Sequence, residues 1–441
     1  MHTTRFACLA ALLAAVATTR PRAQGIVPIP DYTSGNAASW RLREYATGDW
    51  GGSRGALAEK GLTLDLRSYH LTQSILEGPR DGEEALGGRL QLTGNLDLDR
   101  MGLVRGGLLT FRAESRYGDS VNAEAGALLP VADLMFFPKT DPADDTVPLA
   151  ITEFLYTQFL SKQVGVFVGK FIVLGGDSNE FAGGDGTTQF VGHPFTSASV
   201  TATFNPYSTM GGGVFFMPTP ELTWSSSLYA SRDSSTTAGF DTLDDGLVWS
   251  TAVAQQYRIG DRPGGVRATF QYAFDRDFVD LQGQFVLPGS VTLPRTRDSW
   301  AAFVNGWQYL AVFDESEQPI RVQDGRADRR GIGVFARLGT ADHDTNPIQW
   351  TASFGVGGRG LDASRPNDTF GIGYAWSDIG SVPFENLTSR LIAGTAQRLE
   401  AYYSFGLTPA TDLTFDVQWA DSLFARRDSS LLFGVRLGVR F

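Results

Sequence analysis

Hydrophobic and polar residues alternate along stretches of about ten residues in this chain. In the stretch 109–117, leucine, phenylalanine and alanine share one face, whereas threonine, arginine and glutamate share the other. The final stretch, 431–441, carries leucine, valine and phenylalanine on one face and Arg436 and Arg440 on the other. Because successive side chains of a β-strand point to opposite faces, this period of two predicts strands.

Sixteen stretches show the pattern. An even number of strands in one barrel places both chain ends on the same side. The predicted strands are 62–71, 88–98, 107–117, 150–160, 163–172, 212–217, 221–231, 247–258, 265–274, 299–313, 330–338, 348–356, 369–377, 397–407, 411–420 and 431–441.

The connections between these strands tend to alternate between short and long. Tight turns are predicted at 161–162, 218–220 and 408–410, and the long, Gly/Pro/Asp-rich loops are 118–149, 173–211 and 275–298. A soluble sandwich also alternates, but its strands usually have five or six residues, whereas a tilted membrane-spanning strand needs about ten. Together with the charged second face of most strands, this favours an all-β transmembrane barrel with short periplasmic turns and long extracellular loops.

Composition narrows the choice further. The net charge of −11 disfavours binding of nucleic acid through bulk electrostatics, and four lysines leave almost all positive charge to arginine.

The only cysteine, Cys8, lies in an N-terminal stretch in which Arg5 precedes the apolar run 6–17. This layout predicts a secretory signal peptide over 1–23, because the run is too short to span a bilayer.

Several motifs occur in an order that resembles one known family. Segment 48–54 reads GDWGGSR, and 57–65 reads LAEKGLTLD. Later come GNLDLD, VGVFVGKF, RGIGVFARLG, NP, GGRGL, RPND, EAYY and LTP, and the chain ends in Phe441. This series resembles the OprB-type carbohydrate-selective porins of bacterial outer membranes over most of 48–441. Ala410 departs from the aromatic residue usual after the LTP motif, and 205–320 matches only loosely.

The resemblance implies a channel through which sugars diffuse down their concentration gradient. Partners implied are the carbohydrate itself, outer-membrane lipids with lipopolysaccharide, and the assembly machinery that reads Phe441. A final aromatic residue can also be a simple interfacial anchor. Both a homotrimer and a monomer are compatible with the sequence.

A sugar channel needs groups that bind hydroxyls and flat apolar faces that stack on sugar rings. Opposed charges across a wet wall can also merely neutralise each other, so each single residue keeps both interpretations. The predicted substrate-binding residues of the lumen are Arg67, Tyr69, Arg112, Glu114, Arg116, Asp177, Arg398, Glu400, Tyr402 and Arg436.

Catalytic and metal chemistry receive little support. The four histidines are widely separated, and none has metal-ligand spacing. A Ser–His pair around His70 would be needed for a barrel enzyme, and no nucleophile motif accompanies it. The acidic run 141–145 is interpreted either as a divalent-cation site or, preferably, as a solvated loop. No cofactor and no enzyme activity are predicted.

The predicted organisation is a signal peptide (1–23), a periplasmic segment with a short helix (24–61) and a porin barrel (62–441). Two other functions remain open at this stage. One is a general or anion-selective porin, in which arginines would outnumber carboxylates at the narrowest point. The other is a structural or secretion-associated barrel, whose lumen would be plugged by loop side chains.

Overall fold

The computed structural model describes residues 26–30, 32, 40–136, 138, 148–203, 205–281, 295–314, 327–380 and 392–441. The predicted signal peptide and the acidic run 141–145 lie outside these residues. No helix in the described part of the chain is long and apolar enough to cross a membrane.

In the described residues, sixteen antiparallel strands form one closed barrel, in which each strand pairs with its neighbours and the first pairs with the last. Two further short strands, β10 and β11, form a separate ribbon. The strands are β1 Leu62–Glu77, β2 Glu84–Asp97, β3 Gly107–Gly118, β4 Ala150–Phe159, β5 Val164–Ile172, β6 Ser208–Thr219, β7 Leu222–Ala230, β8 Leu247–Ile259, β9 Arg262–Phe274, β10 Phe278–Val279, β11 Arg295–Thr296, β12 Ser299–Val312, β13 Gly331–Ala341, β14 Ile348–Arg359, β15 Thr369–Ile379, β16 Thr395–Thr408, β17 Thr411–Ala420 and β18 Ser430–Arg440.

Each predicted strand corresponds to one barrel strand. The largest differences are at β1, which extends six residues beyond the predicted 62–71, and at β6, which is twice as long as the predicted 212–217. Glycines in the first half of β6 hide its alternation in the sequence. Strand β1 begins and strand β18 ends at one end of the barrel, here called the terminal end, and the opposite end is the loop end. One connection departs from the expected pattern: 313–330 joins β12 to β13 at the terminal end and is long.

The predicted facing of the strands is confirmed. In β18, Arg436 is buried inside the barrel, whereas Val435 and Leu437 lie on the outer wall. Large apolar side chains such as Leu338 and Ile372 are more than half exposed on the outside. In a bilayer this outer surface meets lipid, so its exposure carries no penalty.

The core of the molecule lies inside the barrel. Segment 119–136, here the inner segment, and residues 173–207, here the inner loop, fold from the loop end into the lumen. Their apolar side chains pack against inward residues of the wall; for example, Val200 contacts the cluster of Phe303 and Ile348. Helix α1 (Ser53–Glu59) precedes β1 at the terminal end, and the single turn α2 (His193–Thr196) belongs to the inner loop.

Candidate functional site

Three wall arginines hold the inner segment and inner loop through backbone carbonyl groups. Arg398 donates to the carbonyl oxygens of Leu129 and Pro130, each at 2.7 Å. The other two arginines bind the inner loop. Arg436 donates to the carbonyl oxygens of Gly186, Thr188 and Gln189 at 2.6–2.8 Å. Arg337 donates to the carbonyl oxygens of Ala182 and Phe195 and forms an ion pair with Asp177 at 2.9 Å. All three guanidinium groups are buried, so their charge is compensated by carbonyl dipoles as well as by carboxylates.

Two buried carboxylates also join the inner loop to the barrel wall. Glu400 accepts hydrogen bonds from the backbone N–H groups of Val191 (2.5 Å) and Gly192 (3.0 Å). Glu180, in the inner loop, accepts one from the Tyr309 hydroxyl at 2.5 Å and one from the Asp328 N–H at 2.7 Å. Burial raises the pKa of Glu180 to about 8. The inner loop is thereby joined to the 313–330 connection at the terminal end.

Aromatic side chains of the inner loop fit against glycines of the wall. A Cβ atom at Gly373 would lie 2.6 Å from the ring of Phe195, and one at Gly333 would lie 2.3 Å from the ring of Phe181. Phe190 stacks on Phe195 with 4.7 Å between ring centroids. Glycine is therefore needed at these wall positions because any side chain would push the inner loop away.

Burial shows which side of the lumen stays open. Every inward position of β13 and β15 is buried beneath the inner segment and inner loop. On β3, β5, β6 and β7, by contrast, most inward positions are partly exposed. The inner segment and inner loop therefore cover the second half of the barrel, and they leave partly exposed inward positions on the strands of the first half, here the open side.

Charges of both signs lie on the open side and on the adjoining end of β18. Asp65 contacts Arg67 at 2.9 Å and Arg440 at 2.5 Å. Further along the wall, Arg112 lies 3.9 Å from Glu153, and about a quarter of the Arg112 side chain is exposed. These five side chains form two groups of opposite charge, and each of the five is partly exposed.

A buried ionic contact connects the inner loop to this side of the wall. Arg89 on β2 contacts Asp185 of the inner loop at 2.5 Å and lies 3.7 Å from Glu114 on β3. Glu114 also accepts hydrogen bonds from the hydroxyls of Tyr207 and Thr152. The positive charge of Arg89 holds the pKa of Asp185 below its usual range, although burial opposes this. The inner loop thus crosses the lumen from β13 to β2.

The ten predicted site residues fall into two environments. Arg67 and Arg112 reach the open side. Arg116 is held by the carbonyl groups of Met135 and Phe136 in the inner segment. Asp177 pairs with Arg337. The remaining six are buried: Tyr69, Glu114, Arg398, Glu400, Tyr402 and Arg436.

Sequence reasoning missed several residues of the open side. Asp65 shares the inward face of β1 with the predicted Arg67, and Glu153 lies opposite the predicted Arg112 on the neighbouring strand. Phe167 and Phe215 point into the lumen from β5 and β6, where glycines surround them in the sequence. An aromatic residue in the inward phase of a strand, opposite a glycine on the next strand, is the signal that could have found them.

One cavity lies at each end of the barrel. At the loop end, a cavity of about 860 Å³ is lined by charged residues that include Arg232, Asp245 and Arg276. At the terminal end, a smaller cavity of about 250 Å³ is lined by Thr188 of the inner loop and by Arg440. Within the described residues, no group of three or more His, Cys, Asp or Glu side chains could hold a metal ion.

Comparison with known proteins agrees with this architecture. The model of the carbohydrate-selective porins of the OprB family matches residues 84–441. The chain belongs to the OprB family. It is an outer-membrane channel for the passive diffusion of carbohydrates, and not an enzyme. The comparison with curated proteins found no match.

Solved structures with the same fold include the high-pH structure of Pseudomonas putida OprB. It has a TM-score of 0.74 and 18% identity, covering 90% of this chain and 98% of that chain. The low-pH structure of the same protein has a TM-score of 0.54 and 14% identity over the same shares. The outer-membrane channel DcaP of Acinetobacter baumannii has a TM-score of 0.50 and 11% identity, covering 86% and 97%.

Proposed function

We propose that this OprB-family porin selects carbohydrates through the charge-lined wall formed by Asp65, Arg67, Arg112, Glu153 and Arg440. The observation that carries the proposal is the pairing of opposite charges that stay partly exposed on the open side. A sugar hydroxyl both donates and accepts hydrogen bonds, so it can bind a carboxylate and a guanidinium group at once.

Balanced charge also limits competition from ions. A wall with one sign of charge would attract counter-ions and produce an anion- or cation-selective porin. Here each accessible arginine has a carboxylate within 4.0 Å, which favours a neutral polyhydroxyl solute over either ion. Water screens these partly exposed groups, so each contact stays weak enough for the sugar to leave.

Six of the other eight predicted residues have a positioning role in this proposal. Arg398, Glu400 and Arg436 hold the inner segment and inner loop, and these in turn confine the sugar to the charged wall. Asp177, Glu114 and Arg116 act in the same way. Removing one of them should therefore widen the channel rather than remove a direct contact with the sugar.

Current through single channels in planar bilayers tests the proposal. Glucose should block the wild-type current reversibly. Both Arg112→Gln and Glu153→Gln should weaken that block about three- to tenfold, because each loses a charge-assisted hydrogen bond. The two variants should shift the reversal potential in a salt gradient in opposite directions.

Arg80→Gln, in the exposed turn after β1, is the matched control and should change neither the glucose block nor the reversal potential. A wild-type channel that no sugar blocks, and that strongly prefers one ion sign, would overturn the proposal in favour of an ion-selective porin.

The chain end is proposed to serve assembly. Segment 24–61 would lie on the periplasmic side, where the outer-membrane assembly machinery would read Phe441 before the barrel closes. The outward apolar row of β18, which ends near Phe441, supports this role. Deleting Phe441 should lower the amount of folded barrel in isolated outer membranes, whereas Phe441→Trp should preserve it. Equal amounts of folded barrel after deletion would contradict this role.

A further inference from the structure

A row of aromatic side chains follows the open wall from the terminal end to the loop end. Phe159 on β4 lies 5.4 Å from Phe215 on β6, measured between ring centroids. On β5, Phe167 lies 5.6 Å from Phe171, which in turn lies 5.9 Å from Tyr229 on β7. All five side chains share the inward phase of their strands, as the register of β4, β5, β6 and β7 requires.

Two of these rings lie along the wall instead of standing upright in the lumen. Phe215 is paired with Gly165, and a Cβ atom at Gly165 would lie 2.1 Å from the tip of the Phe215 ring. Phe167 is paired with Gly213, where the corresponding distance is 2.6 Å. Each ring therefore extends across the neighbouring strand and occupies the space that a side chain there would take.

Both rings keep part of their surface exposed, unlike the aromatic residues of the inner loop. The aromatic residues Phe181, Phe190 and Phe195 are completely buried where the inner loop packs on the opposite wall. Phe167 and Phe215, in contrast, are partly exposed. The inward residues beside them on β7, Ser225 and Ser227, are too small to cover a ring.

We propose that Phe167 and Phe215 form a stacking site for the apolar face of pyranose sugars. The site would take neutral hexoses and their oligomers, whose axial C–H groups form a flat apolar patch. It rests on the proposed carbohydrate function and adds a second kind of contact to it. The charged wall binds hydroxyls, whereas the rings bind the C–H face of the sugar.

Phenylalanine suits a transport site of this kind. Its ring contributes dispersion and apolar contact without a directional hydrogen bond, so the sugar can slide while it stays in contact. Phe159 continues the row towards the terminal end, which gives the sugar a next contact on its way through. Phe171 packs partly into the core at the loop end, so the accessible part of the row begins at Phe167.

Sorbitol separates the two kinds of contact, since it offers hydroxyls like those of glucose but has no pyranose ring. Wild-type channels should be blocked more strongly by glucose than by sorbitol. Phe167→Leu and Phe215→Leu should each weaken the glucose block about fivefold, because each removes one ring contact. Sorbitol block should not change, and Phe167→Tyr should keep the glucose block.

Phe111→Leu is the matched control. Phe111 also covers a glycine, since a Cβ atom at Gly94 would lie 2.2 Å from its ring, but Phe111 points to the outside of the barrel. This variant should lose comparable packing and leave glucose block unchanged. Equal block by glucose and sorbitol in the wild type, or unchanged glucose block in both inward variants, would overturn the stacking site. Absence of block by either solute in the wild type would instead overturn the proposed carbohydrate site.

Discussion

At the residue scale, the lumen explains why arginine supplies nearly all the positive charge. The guanidinium group of Arg436 serves three carbonyl groups at once, and that of Arg398 serves two. A lysine ammonium group is a compact point charge and lacks the planar fork that fits neighbouring carbonyls. Buried arginines can therefore hold a loop with little regular secondary structure against a strand.

Glu180 should make the position of the inner loop depend on pH. Its pKa is raised to about 8 by burial, above the usual value for glutamate of about 4.3. Docking is therefore most favourable when Glu180 is protonated in both states, and it becomes less favourable between about pH 4.3, where the undocked carboxyl ionises, and about pH 8. We expect larger current fluctuations in single channels at pH 9 than at pH 6.

Two groups near Glu180 bear on this prediction: Asp328 opposes its ionisation and Arg329 favours it. Glu180→Gln keeps the shape but cannot ionise, so its current fluctuations should not change between pH 6 and pH 9. If the variant responds to pH as strongly as the wild type does, a different group controls the loop.

Replacing an outward residue with arginine should destabilise the barrel by an amount that depends on how deep the residue lies in the bilayer. Val435 lies in the middle of β18 and Val439 near its terminal end, both on the outer face. Val435→Arg should lower the free energy of unfolding by roughly 2–4 kcal/mol, whereas Val439→Arg should cost about 0–1 kcal/mol, because arginine near the interface reaches water. Urea titration of the barrel in lipid vesicles measures both values, and equal losses would contradict the assigned depth.

At the element scale, strands and loops differ in how far the sequence predicts them. A strand such as β17 follows from alternation within ten residues, so its bounds Thr411–Ala420 agree with the prediction. The path of the inner loop depends on pairs far apart in sequence, such as Glu400 with Val191 and Arg337 with Ala182. Alternation shows that Glu400 points inward, but it contains no information about whether a loop covers it.

The glycines beneath the inner loop provide a test of its docking. At Gly373, a Cβ atom would meet the ring of Phe195 at 2.6 Å, whereas at Gly434 the nearest atom, on Gln73, is 3.5 Å away. Both glycines face inward on strands of the barrel. Gly373→Ala should displace the inner loop and change the single-channel conductance, and Gly434→Ala should not. Identical conductance in the two variants would show that the ring adjusts without moving the loop.

At the scale of the whole molecule, the sequence predicts that the barrel closes, but it does not predict the contacts of the segment before β1 that stabilise the junction of the first and last strands. An even number of strands makes the first and last strands antiparallel when the barrel closes, and the structure pairs β1 with β18 from Arg67–Arg440 to Glu77–Leu431. The segment before β1 reinforces this seam. The N–H of Ala46 donates to the carbonyl of Arg440 at 2.8 Å, and Arg54 donates to the carbonyl of Phe441 at 2.8 Å. Nothing in the local pattern around Arg54 indicates a contact with the other end of the chain.

Arg54 should therefore contribute to the stability of the closed barrel. Its buried guanidinium group lies 4.1 Å from the ring centroids of both Tyr45 and Trp50, and it binds the chain end as described. Arg54→Ala removes cation–π contacts worth about 0.5–2 kcal/mol each and a hydrogen bond from a charged donor worth about 1.5–3 kcal/mol. The temperature at which the folded form converts to the unfolded form on a detergent gel should fall clearly.

Lys60→Ala, at an exposed position just after α1, is the control and should leave that temperature unchanged. If both variants unfold at the wild-type temperature, strand pairing alone holds the seam and the segment before β1 adds nothing to it.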